Sequence, residues 1–186
     1  MSNSSANLSI WAGDQVVVIR ISGRANFQNS VDFKATLLEL WHRGAKRFIL
    51  DLTNCQLMDS TFLGVMAGLG LKFSKETNSS GAARIELLNP SPRIADLFDN
   101  LGIIHLFSVS SCPPADLKNL SPLEKNAPTS ASSSSSAGPA TNRVETTRVC
   151  LEAHKLLMQL NEANVAKFKD VTKFLEEDLK RMEGSG

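Results

Sequence analysis

The chain up to residue 115 alternates between short strand-like segments and segments whose apolar residues recur at helical spacing. Residues 8–11 and 15–22 are strand-like and are joined by Gly13-Asp14, which predicts a β-hairpin. A helix is predicted around Val31 to Trp41 and is expected to end near Gly44. The later predicted elements are a strand over 47–52, a helix over 60–75, a strand over 83–88, a helix over 91–101 and a strand over 105–109. This order is typical of an α/β fold whose later strands are joined by helical crossovers.

The C-terminal part of the chain has the most regular pattern. From Thr147 to Met182 the seam positions are spaced alternately by four and three residues, which is a heptad repeat, although His154 and Asn161 on the seam are polar. Further apolar residues widen this face beyond the seam: Leu157, Leu160, Val171 and Phe174. The pattern predicts one long amphipathic helix over 143–183 that must bury its apolar face. We expect this helix to self-associate or to bind a partner helix; the alternative is that it folds back on the sheet of its own chain.

Between these two parts, residues 121–142 are dominated by Ser, Ala, Pro and Thr. Such a segment buries too little apolar surface to offset its conformational entropy. The sequence therefore predicts three parts, namely an α/β domain over 1–115, a disordered Ser/Pro/Ala-rich linker over 116–142 and a separate helix over 143–183. The predicted strands and helices of 1–115 account for a full core, so this domain is expected to fold without the tail.

Composition and charge argue against several classes of partner. The chain has 20 Lys and Arg residues against 19 Asp and Glu, a net charge of +1, which gives no basic surface for nucleic acid or anionic lipid. The longest apolar stretch, 62–71, is interrupted by glycines and is too short to span a bilayer. The N-terminal residues do not resemble a signal peptide, and the 3 cysteines are far apart and expected to be reduced. We therefore expect a cytoplasmic protein with no nucleic-acid binding and no membrane insertion.

The sequence also lacks the motifs of common catalytic and metal sites. It contains no GxxxxGK[ST] phosphate loop and no HExxH motif, and its 3 histidines are widely separated. Cys55 lies in no nucleophile motif and is expected to pack in the core. We therefore expect that the protein is not an enzyme and that it uses no cofactor and no metal.

One segment, residues 51–65, has a more specific pattern. Asp51 ends a buried strand, a short loop follows, and Asp59-Ser60-Thr61 opens an apolar helix. The segment resembles the strand-to-helix corner of the STAS domain, D-x-x-x-V-x-x-[ML]-D-S-[ST]-G-L-G-x-L, with Met58 and Leu63-Gly64-Val65 also in register. The order of strands and helices is similar to that family across most of the region before the linker. The resemblance implies a STAS-like small mixed sheet flanked by helices, in a bacterial regulatory protein of the anti-sigma-factor-antagonist type.

In the STAS family a partner kinase phosphorylates the serine directly after the aspartate, and the matching residue here is Ser60. A phosphate at a helix N-terminus is favoured by exposed N–H groups and the helix dipole, and it adds nearly two negative charges. The resemblance implies that a partner docks on the unmodified corner and is repelled after phosphorylation. The predicted docking residues are Asn26, Asp59, Ser60, Thr61, Phe62 and Leu63. From the residue types alone, the alternative is that Asp59 or Ser60 only caps the helix.

The chain departs from the family pattern at two positions near this corner. Phe62 replaces a small glycine, which places an aromatic ring at the docking corner or beneath it. Asn26 stands where the family has an aspartate, so the hydrogen-bonding shape is kept while the negative charge is lost. The family domain also ends in a helix packed beside the first one. Either a short helix at 115–120 or the distant helix over 143–183 supplies it here.

These observations predict a protein that binds an anti-sigma factor or a serine kinase and is switched by phosphorylation of Ser60. The alternative is a STAS adaptor or scaffold subunit of a transporter or signalling complex that is not phosphorylated. Such an adaptor would be attached through the C-terminal helix, and Ser60 would be only a cap.

Overall fold

The computed structural model describes residues 6–75, 83–111, 121–123 and 139–184, and for residues 139–142 it describes the backbone only. The strands are β1 (Asn7–Ala12), β2 (Val16–Ala25), β3 (Arg47–Asp51), β4 (Cys55–Met58), β5 (Arg84–Leu88), β6 (Ser108–Ser110) and β7 (Ser121–Pro122). The helices are α1 (Phe27–His42), α2 (Ser60–Lys75), α3 (Pro92–Asn100), α4 (Pro139–Leu160) and α5 (Ala163–Glu183). None of these described helices is long and apolar enough to cross a membrane.

The strands form a mixed sheet in the order β6-β5-β3-β2-β1-β7. β1 and β2 form the predicted antiparallel hairpin, whereas β2–β3, β3–β5 and β5–β6 are parallel pairs. The end of β2, from Gly23 to Ala25, pairs in parallel with β4, and the register of this pairing shifts between Gly23 and Arg24. Gly23 has a φ of 87° there, a conformation that glycine adopts without strain. The shift brings the ends of β2 and β4 together, so that α1 and α2, which follow these two strands, begin side by side.

The core lies between one face of the sheet and the helices. α1 contributes Phe33 and α2 contributes Phe62 and Phe73, and all three rings are almost fully buried against Ile19 and Leu50 of the sheet. α2 is apolar on nearly every side because it packs on the sheet, on α1 and on α4. The α/β fold class is therefore confirmed.

Most predicted elements of the first part are present, with differences at its irregular segments. The helix predicted over 60–75 is α2 with the same bounds, and Ser91 caps α3 by accepting a hydrogen bond from the N–H of Ile94 at 3.3 Å. The structure adds β4 within a segment predicted as a loop. Where one strand was predicted over 105–109, it has a 3₁₀ turn at Ile104–Leu106 followed by β6.

The single helix predicted over 143–183 is wrong, because the structure has two helices, α4 and α5, with a break at 161–162. Asn161 is the cause of the break: its Oδ1 accepts a hydrogen bond from the N–H of Ala163 at 3.0 Å, which starts a new helix. Asn164 fixes the turn to the domain, since its buried Nδ2 donates to the carbonyl oxygens of Leu101 and Leu157, both at 2.9 Å. The heptad pattern identified the buried face of α4, but it assigned Val165, Val171 and Phe174 of α5 to the same face, and these are 38%, 37% and 62% exposed. It also did not show that the chain reverses.

α4 and α5 form an antiparallel helical hairpin, hereafter the C-terminal hairpin. His154 of α4 packs edge-on against Phe168 of α5, with ring centroids 4.9 Å apart. Ion pairs such as Lys155–Glu176 at 2.6 Å cross between the helices, but their side chains are about half exposed, and such pairs contribute little to stability. Buried seam contacts, such as His154 with Phe168 and Met158 with Thr172, therefore contribute more to holding the two helices together.

The C-terminal hairpin docks on the first part of the chain through α4. Val149, Ala153 and Leu157 are buried in the same core as the sheet, and α4 packs beside both α1 and α2. The family domain ends in a helix packed beside its first helix. Here α4, from the distant C-terminal part, lies beside α1. Residues 115–120 lie outside the described residues, as does most of the predicted linker over 116–142. Within that linker, β7 pairs with β1 and α4 already begins at Pro139.

Candidate functional site

The corner between β4 and α2 is built around one carboxylate. Oδ1 of Asp59 accepts a hydrogen bond from the N–H of Phe62 at 2.8 Å, and Oδ2 accepts one from the N–H of Phe27 at 2.8 Å. Phe27 and Ser60 are the first residues of α1 and α2. Asp59 therefore caps both helices at once, which satisfies N–H groups that helix formation leaves free and places a negative charge at two positive helix ends.

Ser60 is bonded differently, to the C-terminal hairpin. Its Oγ lies 2.8 Å from Nε2 of His154, a residue 94 positions away in the sequence. Nδ1 of His154 lies 2.7 Å from the carbonyl oxygen of Cys150, which can only accept a hydrogen bond. In the neutral ring Nδ1 therefore carries the proton, and Nε2 accepts from the Ser60 hydroxyl. His154 is only 5% exposed and Ser60 is half-buried, so this hydrogen bond is partly shielded from water.

α2 and α4 are in contact along the next turn of α2. Thr61 is buried, and its Oγ1 lies 3.7 Å from Sγ of Cys150. Burial raises the pKa of the Cys150 thiol, the hydrogen bond from Thr61 opposes this rise, and the charge of Asp59 adds to it. A Cβ added at Gly64 would lie 2.7 Å from both the Cβ and the carbonyl oxygen of Ala153. Only glycine allows α4 to approach α2 this closely.

The predicted docking residues fall into two groups. Asn26, Asp59 and Ser60 are partly exposed at the corner, and Oδ1 of Asn26 caps α1 by accepting from the N–H of Gln28 at 3.0 Å. Thr61 is covered by α4. Phe62 and Leu63 are 0% and 1% exposed, which corrects their assignment to a docking surface, because a side chain without exposed area cannot contact a partner.

Phe62 lies beneath the corner rather than on it. Its ring packs against that of Phe33, with centroids 4.6 Å apart, between α1 and α2. The aromatic that replaces the family's small residue thus fills the core under the corner. Its burial contributes to stability rather than to recognition.

Three residues near the corner were not identified from the sequence. His154 and Cys150 reach it through the fold of the C-terminal hairpin, and no local pattern points to a contact over 94 positions. Phe27 is 44% exposed at the start of α1, next to Asp59. Together with residues of the C-terminal hairpin it borders a surface groove lined by Phe27, Gln28, Arg143, Thr146, Thr147, Cys150 and Leu175.

The remaining acid of the motif, Asp51, has a structural role. Burial acts to raise the pKa of this carboxyl, but hydrogen bonds from Thr53 and Arg20 and the charge of Arg20 outweigh it, so the pKa is lowered. Nε of Arg20 lies 2.8 Å from its Oδ2. Within 6–75, 83–111, 121–123 and 139–184, no cluster of three His, Cys, Asp or Glu residues could hold a metal ion.

Comparison with known proteins identifies the region that contains this corner. A family model described as the STAS domain matches residues 10–114. No curated protein sequence matches the chain. The solved structure of the anti-sigma factor antagonist SpoIIAA in its unphosphorylated form is 20% identical with a TM-score of 0.46, and the match covers 58% of this chain and 89% of that one.

Two further solved structures give similar values. The Bacillus cell fate determinant SpoIIAA in the phosphorylated form is 20% identical with a TM-score of 0.45, covering 57% of this chain and 91% of that one. The protein TM1081, solved by NMR, is 19% identical with a TM-score of 0.46, covering 54% of this chain and 78% of that one. The family match includes the corner with Ser60 and ends before the C-terminal hairpin.

Proposed function

The chain belongs to the STAS domain family, and from this premise we propose that it is an anti-sigma-factor-antagonist-like regulatory protein. It binds an anti-sigma factor or a related serine kinase, and phosphorylation of Ser60 switches that binding. The protein acts by binding and performs no catalysis of its own, because the phosphoryl-transfer chemistry belongs to the kinase.

The observation that carries this proposal is the different bonding of Asp59 and Ser60. Asp59 supplies the cap of α2, through the N–H of Phe62. The Ser60 hydroxyl is bonded instead to a side chain of another element, His154. The reading in which Ser60 serves only as a helix cap therefore loses its support. Ser60 stands at the first position of a 16-residue helix, where N–H groups and the helix dipole stabilise an added phosphate.

The modification changes the charge of the corner. The Ser60 Oγ forms a bond to the γ-phosphorus of ATP, the bond to the bridging oxygen breaks, ADP leaves, and the hydroxyl proton passes to a base of the kinase. The product carries about −1.5 to −2 charges at neutral pH. Because Asp59 is already negative, a partner that docks on the unmodified corner meets a strongly anionic surface after phosphorylation.

The proposal is tested by incubating the protein with an anti-sigma-factor serine kinase and ATP, followed by mass-spectrometric mapping of the phosphopeptide. We expect phosphate on Ser60 and its loss in Ser60→Ala. Ser91 is a matched control within the chain, since it also precedes a helix but uses its Oγ as the cap. Phosphate on Thr61 or Ser91 with none on Ser60 would overturn the proposal, as would a phosphorylated protein that retains its partner in a pull-down.

A second candidate function, an unphosphorylated STAS adaptor, is favoured by the outer surface of α5. Val171 and Phe174 are 37% and 62% exposed there, and a neighbouring pair of exposed apolar side chains is suited to contact another subunit. In an adaptor, Phe174→Asp would abolish partner binding, whereas Ser60→Ala and phosphorylation conditions would leave it unchanged. In the switch proposed above, Phe174→Asp would leave partner binding unchanged, phosphorylation would abolish it, and Ser60→Ala would keep the partner bound in the presence of kinase and ATP.

A further inference from the structure

The C-terminal hairpin contacts the residue that the proposed switch modifies and leaves it half-buried. Ser60 bonds to His154, and one turn further along α2 the backbone at Gly64 lies against Ala153. Both contacts are made by the same buried face of α4. A kinase or a partner that approaches Ser60 along α2 therefore meets α4 before it meets the serine.

The hydrogen bond to His154 is formed by the hydroxyl hydrogen of Ser60, which phosphorylation removes. In the neutral ring Nε2 accepts the Ser60 hydroxyl proton, because Nδ1 is committed as a donor to the carbonyl of Cys150. Phosphorylation replaces that proton with a phosphoryl group whose oxygens are acceptors. With the ring neutral, Nε2 and the phosphate oxygens would be acceptors facing each other, and a doubly charged group would lose part of its hydration at this half-buried position.

We infer that α4 is a built-in competitor for the Ser60 corner, so that docking of α4 and phosphorylation of Ser60 exclude each other. This inference rests on the proposed function, because it takes Ser60 as the phospho-acceptor, and it adds the regulation of that site. In the docked state α4 restricts access to Ser60, which stays partly exposed, so that kinase and partner compete with α4 for the corner. Once Ser60 is phosphorylated, α4 no longer docks, and its apolar face becomes available.

Two features make release of α4 less costly than opening of the sheet. A cleft of about 240 Å³ lies between α4 and the surfaces of α1 and α2, and atoms beside unfilled space lack packing partners. The ion pair between Lys34 of α1 and Glu152 of α4 at 2.9 Å is largely exposed and contributes little. The C-terminal hairpin keeps its own seam between α4 and α5 when it is released. Its release breaks the hydrogen bond from Asn164 to the carbonyl oxygen of Leu101 and exposes the α4 residues buried in the core, namely Val149, Ala153 and Leu157.

Alkylation of Cys150 measures this docking directly, because the thiol lies on α4 against Thr61 and is 9% exposed. In a Cys112→Ser background, Cys55 is an internal control: it lies in the core, and burial raises its pKa to about 11. The full-length chain is compared with a chain that carries phosphoserine at position 60, installed by genetic-code expansion. Ala153→Leu pushes α4 off Gly64 and serves as the undocked reference, and Gln159→Leu on the exposed side of α4 is its matched control.

We expect phosphoserine at position 60 and Ala153→Leu to accelerate iodoacetamide labelling of Cys150 at least about tenfold, since local opening exposes the thiol. Cys55 labelling should stay slow in every chain, and Gln159→Leu should behave as the wild type. Equal protection of Cys150 in the phosphorylated and unmodified chains would overturn the inference. So would acceleration of Cys55 in the phosphorylated chain, because the whole domain would then have opened.

A kinase assay on the same chains distinguishes a failure of this inference from a failure of the proposed function. The serine kinase should phosphorylate Ser60 faster in Ala153→Leu than in the wild type or in Gln159→Leu. Equal rates would overturn the competition by α4. If no chain is phosphorylated at Ser60, the proposed function fails, whereas the labelling of the phosphoserine chain still decides whether phosphate and α4 exclude each other.

Discussion

Replacing Gly64 with alanine is expected to destabilise the protein, although alanine is the better helix former. The added Cβ would lie 2.7 Å from the Cβ and from the carbonyl oxygen of Ala153 and 2.9 Å from its carbonyl carbon. Two of these atoms belong to the backbone of α4, which cannot move without shifting the helix. Overpacking of this kind costs about 1–3 kcal/mol, against a gain of about 0.5–1 kcal/mol from helix propensity.

The expected net loss is about 1–2 kcal/mol, which lowers the melting temperature of a chain of this size by about 2–8 °C. Gly68→Ala is the matched control, because it lies one turn further along α2 and gives the same gain in propensity. The Cβ added there would meet only the end of the Leu156 side chain, at 3.3 Å, which can rotate away. Gly68→Ala is therefore expected to be neutral or slightly stabilising.

Thermal and urea unfolding of the two variants measure the difference, and Cys150 labelling locates it at α4. Combining Gly64→Ala with Ala153→Gly removes one of the contacted atoms, so the double variant should be more stable than the sum of the single changes indicates. If Gly64→Ala proves as stable as Gly68→Ala, the close contact between α2 and α4 does not exist in solution, and the structural basis for competition at Ser60 is lost.

Two further predictions concern other anchors of the fold. Asn164→Ala should cost about 1–3 kcal/mol in urea unfolding, because the buried carbonyls of Leu101 and Leu157 lose their donor, and a change near zero would contradict its role in fixing the turn. Asp51→Asn should lose stability at neutral pH. The pKa of Asp51 is lowered in the folded state. Its ionised carboxylate therefore stabilises the fold above pH about 4, the pKa of the unfolded carboxyl, and this stabilisation disappears as pH falls through the pKa of the folded state. The difference from wild type should shrink in acid, and a difference independent of pH would refute the pairing with Arg20.

The sequence by itself determined the parts of the protein that depend on local patterns. Strand-like segments and helical spacing predicted the hairpin of β1 and β2 and the bounds of α2, because each pattern reports which side of an element faces the core. The corner motif from Asp51 to Val65 identified the STAS family, which the family match confirms. Residue types also indicated a helix cap at Asp59 or Ser60, and the structure shows that Asp59 is the one that caps α2.

Only the tertiary structure decided how the C-terminal part is used. A heptad pattern shows which face of a helix is apolar, but it is the same whether that face covers another chain, another helix or the chain's own domain. The hydrogen bonds of Asn161 and Asn164 turned one predicted helix into a hairpin, since a polar residue on a seam can end a helix as well as interrupt its packing. The contact of Ser60 with His154 spans 94 positions, and the burial of Phe62 depends on where α1 lies. Such contacts are set by the packing of whole elements, which local sequence patterns do not specify.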